Sequence, residues 1–260
     1  MTTSKRPERQ REYPHVEAVN NTDDMELTLQ KFEDRPSMAT ALADVICERL
    51  EAAIAARGAA GLIVSGGSAP IPLFAELARR ELPWERITVS LADERWVDPA
   101  SPDSNERLVR TTLLTQCARH ARFVALKTRH ALPEQGELEC ESALATVPSP
   151  FDVVVLGMGE DGHTASLFPG ADRLAAALDL KGNRQCLAIT PKVLPSNAPY
   201  PRMTLTLRRL LDSRWIALLL AGQPKLDVYR QALAGDEVES MPVRAVLQQT
   251  RTPVVTYWAP

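Results

Sequence analysis

No apolar run in this 260-residue chain exceeds strand length. A membrane-spanning helix, which needs about 20 consecutive apolar residues, is therefore not expected. The N-terminal MTTSKRPERQREY is polar throughout and offers no secretory signal. Charge of one sign is not in excess: 30 basic against 33 acidic side chains leave a net charge of −3, and no run of five or six like charges occurs. Nothing thus favours nucleic acid or an anionic membrane as a partner. Cysteine is sparse. Cys47, Cys117, Cys140 and Cys186 are dispersed, form no CxxC pair and show no metal spacing, so reduced structural thiols, a cytosolic compartment, no metal and no cofactor are expected. Internal repeats, low-complexity tracts and a linker long enough to divide domains are also missing. Residues 1–24 lack apolar periodicity and are expected to be a flexible arm, with a single domain over 25–260.

What is present is an alternation of short β-branched runs with helical periodicity. Leu27, Leu29 and Phe32 suggest a first strand. After Pro36-Ser37, the positions Met38, Leu42, Val45, Ile46, Leu50, Ala53 and Ile54 recur at three and four up to a stop at Gly58. GLIVS (61–65), ITVSLA (87–92), FVAL (123–126), FDVVVL (151–156), CLAIT (186–190), MTLTL (203–207), WIALLLAG (215–222) and VVTY (254–257) read as strands. Between them, helices are expected from Pro70 to Glu81, after Ser104 through Leu114, and over 134–146, 225–233 and 243–249. Such alternation predicts a three-layer α/β/α domain with a mostly parallel sheet covered on both faces.

Four of the predicted strands end in chemically loaded turns. After FDVVVL, Gly157-Met158-Gly159 allows a sharp turn, and Glu160, Asp161, Gly162 and His163 follow at once. Two carboxylates and an imidazole then lie past the carboxyl end of a buried strand, where open α/β sheets bind ligands; a structural turn with a capping Asp and a surface His is the plainer reading. SGGSAP (65–70) joins a strand to a helix: Gly66 and Gly67 free the backbone amides and Ser68 adds a hydroxyl, the physics of an anion cradle. An ordinary βα loop has the same appearance, and neither GxxxxGK[ST] nor GxGxxG is present. In LADERW (91–96), a strand persisting to Arg95 would send Asp93 and Arg95 to one face and Glu94 to the other. That pairing suits a polyhydroxylated anion, although a surface ion pair would look alike and Ser104-Asn105 downstream reads as a helix cap. Finally, AGQPK (221–225) puts Lys225 at a helix start, where a cation opposes the dipole unless an anion sits beside it.

GGSAP, DERW with SN at 104–105, FDVVVLGMGEDGHTASLFPG, RMTLT and AGQPK, in that order, closely resemble the 6-phosphogluconolactonase family over roughly Leu27 to Trp258. The resemblance implies a sugar-phosphate isomerase-like domain related to glucosamine-6-phosphate deaminase and ribose-5-phosphate isomerase. It also implies metal-free hydrolysis of 6-phospho-D-glucono-1,5-lactone to 6-phospho-D-gluconate. Ala69 stands where that family often has threonine, one hydroxyl fewer beside the phosphate.

A δ-lactone is an activated ester, so a base for water, oxyanion stabilisation and a grip on the phosphate suffice. His163 is the expected general base. Asp161 would orient the imidazole or bind sugar hydroxyls, and Arg95 would stabilise the oxyanion or contact the phosphate. Gly66, Gly67, Ser68 and Lys225 are expected to hold the phosphate, with Arg202 assisting and Asp93 a candidate for the sugar. No serine lies in a G-x-S-x-G elbow. Two rival readings stand beside this one: an amino-sugar-phosphate deaminase/isomerase, whose family places a Glu where this chain has Phe168, and a non-catalytic sugar-phosphate-sensing domain, for which residues 1–24 are too short to supply a helix-turn-helix unit. The expected partner is a small sugar-phosphate lactone, with the chain a monomer or homodimer.

Overall fold

The computed structural model describes residues 15–19, 27–195 and 198–260. Of the arm expected over 1–24, strand β1 (His15–Val19) pairs antiparallel with β2 (Leu27–Lys31), and the remainder lies outside the described residues. There follow α1 (Arg35–Arg57), β3 (Ala60–Val64), α2 (Ile71–Arg79), β4 (Ile87–Leu91), β5 (Asp93–Arg95), α3 (Asn105–Thr112), β6 (Arg122–Val124) and α4 (Pro133–Leu144). The second half holds β7 (Val153–Leu156), α5 (Leu174–Leu178), β8 (Cys186–Ile189), β9 (Arg202–Leu205), α6 (Leu207–Leu211), β10 (Ile216–Ala221), α7 (Gln223–Ala234), α8 (Arg244–Leu247) and β11 (Val254–Ala259).

The main sheet has the order β1-β2-β11-β10-β7-β3-β4-β6, with every pair parallel except the edge pair β1–β2. All residues of β3, β4 and β7 are buried. Successive side chains of a strand point to opposite faces, so both faces of this sheet are covered by other elements. That is why these strands read as unbroken β-branched runs. Helix α1 begins where the Asp34 carboxylate accepts from the Ser37 amide (2.8 Å) and ends at Gly58, whose φ of 79° suits the left-handed turn.

Two sequence expectations are corrected here. CLAIT and MTLTL do not join the parallel sheet; β8 and β9 pair antiparallel with each other and with β5 in a second, three-stranded sheet. The connection from 190 to 201 contains Pro191, Pro195, Pro199 and Pro201 and forms no helix in its described residues, and a return without a crossover helix produces antiparallel neighbours. The strand read over 87–92 does not persist to Arg95 as one element, and Asp93–Arg95 beyond it is a separate short strand. The chain leaves the main sheet after Leu91, and Asp93–Arg95 enters the small one.

At the amino ends of the central strands, Asp152 is a buried tie. Its carboxylate accepts from the Gly61 amide (2.9 Å), pairs with Arg57 at the end of α1, and lies 3.4 Å from Arg214 ahead of β10. Because this cluster sits at the opposite end of the strands from the loaded turns, Asp152→Ala should lower unfolding free energy by about 1–3 kcal/mol, the cost of leaving a buried donor unpaired. Its kcat/KM should stay near that of the wild type. Denaturant midpoints and steady-state rates on the same preparations check both halves; an intact midpoint would show that the tie carries no stability.

Candidate active site

Adjacent strands β10, β7, β3 and β4 are parallel, so the turns that follow them emerge at one edge of the sheet. The chain runs from β3 to β4 on one side and places β7 on the other, so a crevice opens where the order reverses. A cleft of about 420 Å³ lies there. Gly66, Gly67, Ser68, Asp93, Arg95, His163, Arg202 and Lys225 line it, and Asp161 is bonded to His163 from behind. All the site residues expected from sequence are thus brought together, from turns spread over about 160 positions of chain.

The imidazole is held on two sides. Asp161 Oδ1 accepts from the His163 ring Nδ1 at 2.6 Å and from the His163 amide at 3.1 Å. The short bond assigns the ring proton to Nδ1 and leaves Nε2 as an acceptor. Partial burial opposes ionisation of Asp161, but the hydrogen bonds and charge of His163 hold its carboxyl below the usual carboxylate range. Phe168 packs on the imidazole with ring centroids 4.0 Å apart. The turn closes through Gly159 N–H to His163 O (2.8 Å) and Thr164 Oγ1 to Gly157 O (2.8 Å). A Cβ at Gly159 would overlap the His163 ring and the Asp161 carboxylate, so glycine is required there by close approach. Ala165, also lining the cleft, is held at φ 48°, a left-handed conformation that costs a non-glycine residue energy and clusters at functional sites.

The cradle between β3 and α2 keeps its donors available. Ser65 N–H continues the sheet to Val155 O (3.0 Å), but the amides of Gly66, Gly67, Ser68 and Ala69 meet no acceptor among the described residues. These four N–H groups, with Gly67 at φ 91°, lie just ahead of the first turn of a nine-residue helix. That is an anion-binding arrangement.

Three cations at the cleft lack a direct carboxylate contact. Among the described residues, Arg95, Arg202 and Lys225 have no ion pair; Arg95 donates to Asp103 O (2.6 Å) and Arg202 to Ala198 O (2.8 Å). Arg95 and Arg202 face each other across the β5–β9 register, two guanidiniums on neighbouring strands. Burial lowers the Arg202 pKa, with Asp93 pulling the other way. Burial likewise lowers that of Lys225, against the pull of Glu160 and Asp161. A polyanion entering the cleft would relieve this accumulation of positive charge.

Beneath the cleft, Glu94 is fully buried and accepts from the amides of Arg95 (2.7 Å), Asn105 (2.8 Å) and Glu106 (2.7 Å), and from the Ser104 hydroxyl (3.1 Å). Burial pushes its carboxyl up to about 7 in spite of the three backbone amides. The alternation expected of DER is therefore real: Glu94 turns inward to fasten α3, while Asp93 and Arg95 line the cleft. Asp93 accepts from Ser166 Oγ (2.5 Å) and, at 3.3 Å, from Asn105 Nδ2.

Sequence reasoning did not assign Asn105 or Arg35 to the cleft, which both line. Ser104 is the cap that the sequence suggested, accepting from the Arg107 amide at 3.2 Å, whereas Asn105 beside it turns into the cleft. Arg35 carries no local signal, since it only starts α1. Among the described residues no group of three or more His, Cys, Asp or Glu is placed to hold a metal ion, and no helix is long and apolar enough to cross a membrane.

A family model described as glucosamine-6-phosphate isomerases/6-phosphogluconolactonase matches residues 33–258. The chain is 44% identical over 232 residues to a 6-phosphogluconolactonase of Pseudomonas putida, covering 89% of this chain and 93% of that protein. It is 45% identical over 237 residues to one of Rhizobium meliloti, covering 91% and 100%. A solved 6-phosphogluconolactonase from Shewanella baltica OS155 superposes with a TM-score of 0.85 at 44% identity, covering 89% of this chain and 97% of that one.

Gly159→Ala should abolish most turnover by displacing the imidazole, with thermal unfolding within a few degrees of the wild type, because the turn is at the surface edge of the sheet. A variant with near-wild-type kcat would show that the ring position is not critical.

Proposed function

Because the chain belongs to the glucosamine-6-phosphate isomerase/6-phosphogluconolactonase family, we propose that it hydrolyses 6-phospho-D-glucono-1,5-lactone to 6-phospho-D-gluconate with His163 as general base. The lactone-hydrolysing class rests on relatives named for that activity at 44% and 45% identity over nearly their whole length. The observation that carries the mechanism is the Asp161–His163 pair opening onto a cleft with unpaired cations and free amides.

In this reading water donates a proton to His163 Nε2 as its oxygen attacks the lactone carbonyl carbon. Charge collects on the former carbonyl oxygen, where the Arg95 guanidinium stabilises it. The ring C–O bond then breaks, and the departing C5 oxygen takes the proton back from His163, leaving a carboxylic acid that ionises in solution. Asp161 holds the neutral tautomer and stabilises the imidazolium formed in between. The amides of Gly66, Gly67 and Ser68, with Lys225 and Arg202, grip the phosphate, which takes no part in bond making and serves to position the ring. Asp93, fixed by Ser166, accepts from a sugar hydroxyl. The substrate is a soluble sugar phosphate, in keeping with a cytosolic enzyme of the oxidative pentose phosphate route that works as a monomer or homodimer. Phe168 argues against the isomerase branch: an apolar ring stacked on His163 relays no proton.

His163→Asn keeps a polar group of similar reach but supplies no base, so kcat should drop by about 10²–10⁴ with product affinity nearly intact. Since the neutral ring is required, the wild-type rate should fall on acidification. A His163→Asn enzyme with wild-type kcat would overturn the general-base role.

Lys225→Ala should raise KM, a charge-assisted contact being worth about 1.5–3 kcal/mol, and should weaken discrimination against unphosphorylated gluconolactone. An unchanged KM for the phosphorylated lactone would place the phosphate elsewhere. Activity should persist in EDTA at the untreated rate; chelator-sensitive hydrolysis would contradict a His-based mechanism.

A further inference from the structure

Three buried polar atoms without a partner among the described residues belong to residues lining the cleft: Ser65 Oγ, Asn105 Oδ1 and Arg202 Nε. Their chemistries differ. Arg202 Nε only donates and a serine hydroxyl does either, but a side-chain carbonyl only accepts. The orientation of the Asn105 amide is set by its other half: Nδ2 donates to Asp93 O at 2.9 Å and lies 3.3 Å from Asp93 Oδ1. Turning the amide over would set a carbonyl against two acceptors, so Oδ1 is committed to the cleft side. The residue is 2% exposed, so bulk water does not compensate this oxygen. Oδ1 also packs directly on Gly66, where a Cβ would overlap it, so the acceptor sits at the foot of the amide cradle.

A buried acceptor calls for a donor. On a phosphorylated sugar lactone the phosphate dianion, the carbonyl and the ring oxygen carry none; the hydroxyl groups carry all of them. We propose that Asn105 is a specificity-determining residue whose Oδ1 accepts a hydrogen bond from one ring hydroxyl of the substrate, while Asp93, held by Ser166 and Asn105 Nδ2, is kept for another. This rests on the lactonase reading of the cleft. A site built to hydrogen-bond a hydroxyl rejects the analogue lacking it far more strongly than an apolar pocket rejects an extra group, because its own polar atom is left unpaired. Asn105 would thereby separate polyhydroxylated lactones from deoxy ones, a selection that neither the phosphate grip nor His163 can make.

The test compares kcat/KM for 6-phosphogluconolactone with that for its 2-deoxy, 3-deoxy and 4-deoxy counterparts, each generated in place by oxidation of the corresponding deoxyglucose 6-phosphate. Each ratio is taken within one enzyme preparation, so it is independent of the fraction correctly folded. The wild type should disfavour at least one deoxy lactone by about tenfold or more. In Asn105→Ala that one ratio should fall at least about tenfold toward unity, with the other two ratios kept. Ser166→Ala, which removes the Ser166 contact to Asp93 and leaves the contacts of Asn105 in place, should leave the Asn105-dependent ratio in place. The inference is overturned if the wild type shows no such preference, or if Asn105→Ala slows all four lactones equally, as a merely structural or water-holding role predicts. It is also overturned if Ser166→Ala and Asn105→Ala lose the same ratio, since Asp93 would then be the reader. Failure of the wild type to accelerate hydrolysis of the parent lactone above its spontaneous rate would instead refute the lactonase reading itself.

Discussion

Parallel pairing of β10, β7, β3 and β4 sends four consecutive turns to one edge of the sheet, and every functional feature of the molecule depends on that alignment. An antiparallel neighbour among them would carry its turn to the opposite edge. Each turn alone is modest: four free amides, a dyad, an Asp/Arg pair, a lysine. Their meeting within one cleft is what lets the proposed reading assign a phosphate grip and a base to a single site. The buried strands supply the rigidity, being covered on both faces, and the far ends of β3 and β7 are tied by Asp152.

Electrostatically the site is arranged against its own stability. Arg95 and Arg202 face one another, Lys225 opposes the positive end of α7, and none has a carboxylate partner among the described residues. Glu94 is buried and its carboxyl pushed up to about 7. Such arrangements cost folding energy and persist where a ligand or a reaction uses them. The amino-acid composition, with its balanced charge, gives no hint of this local excess.

Much of this was legible in the chain, for identifiable reasons. The buried strands announced themselves because parallel strands covered on both faces must be apolar at every position. Asp161 and His163 were legible because two glycines and a strand end isolate them in sequence. The two-sheet arrangement was not, since β8 and β9 are apolar runs like the others and only the proline-rich connection between them marks the change of direction. β1 was illegible because an edge strand needs only one neighbour and therefore little apolar pattern. Asn105 was hidden by its neighbour: Ser-Asn ahead of a helix satisfies the rules of capping, and those rules say nothing about the side chain that is left over. The short helices α5 and α6, at five residues each, carry too few turns for a period to show.

The passage of the chain from the large sheet into the small one takes a single residue. Ala92 donates its N–H to Val64 O (2.9 Å) in the large sheet, and its carbonyl accepts from Leu205 N–H (2.9 Å) in the small one. That residue is a rivet between two plates. Arg95 and Arg202 ride on one plate, the amide cradle and His163 on the other, and the rivet fixes the gap between them before any ligand arrives. The width of the cleft is thereby a fixed gauge, since a slip of one plate against the other would carry both guanidiniums away from the cradle and from His163 together.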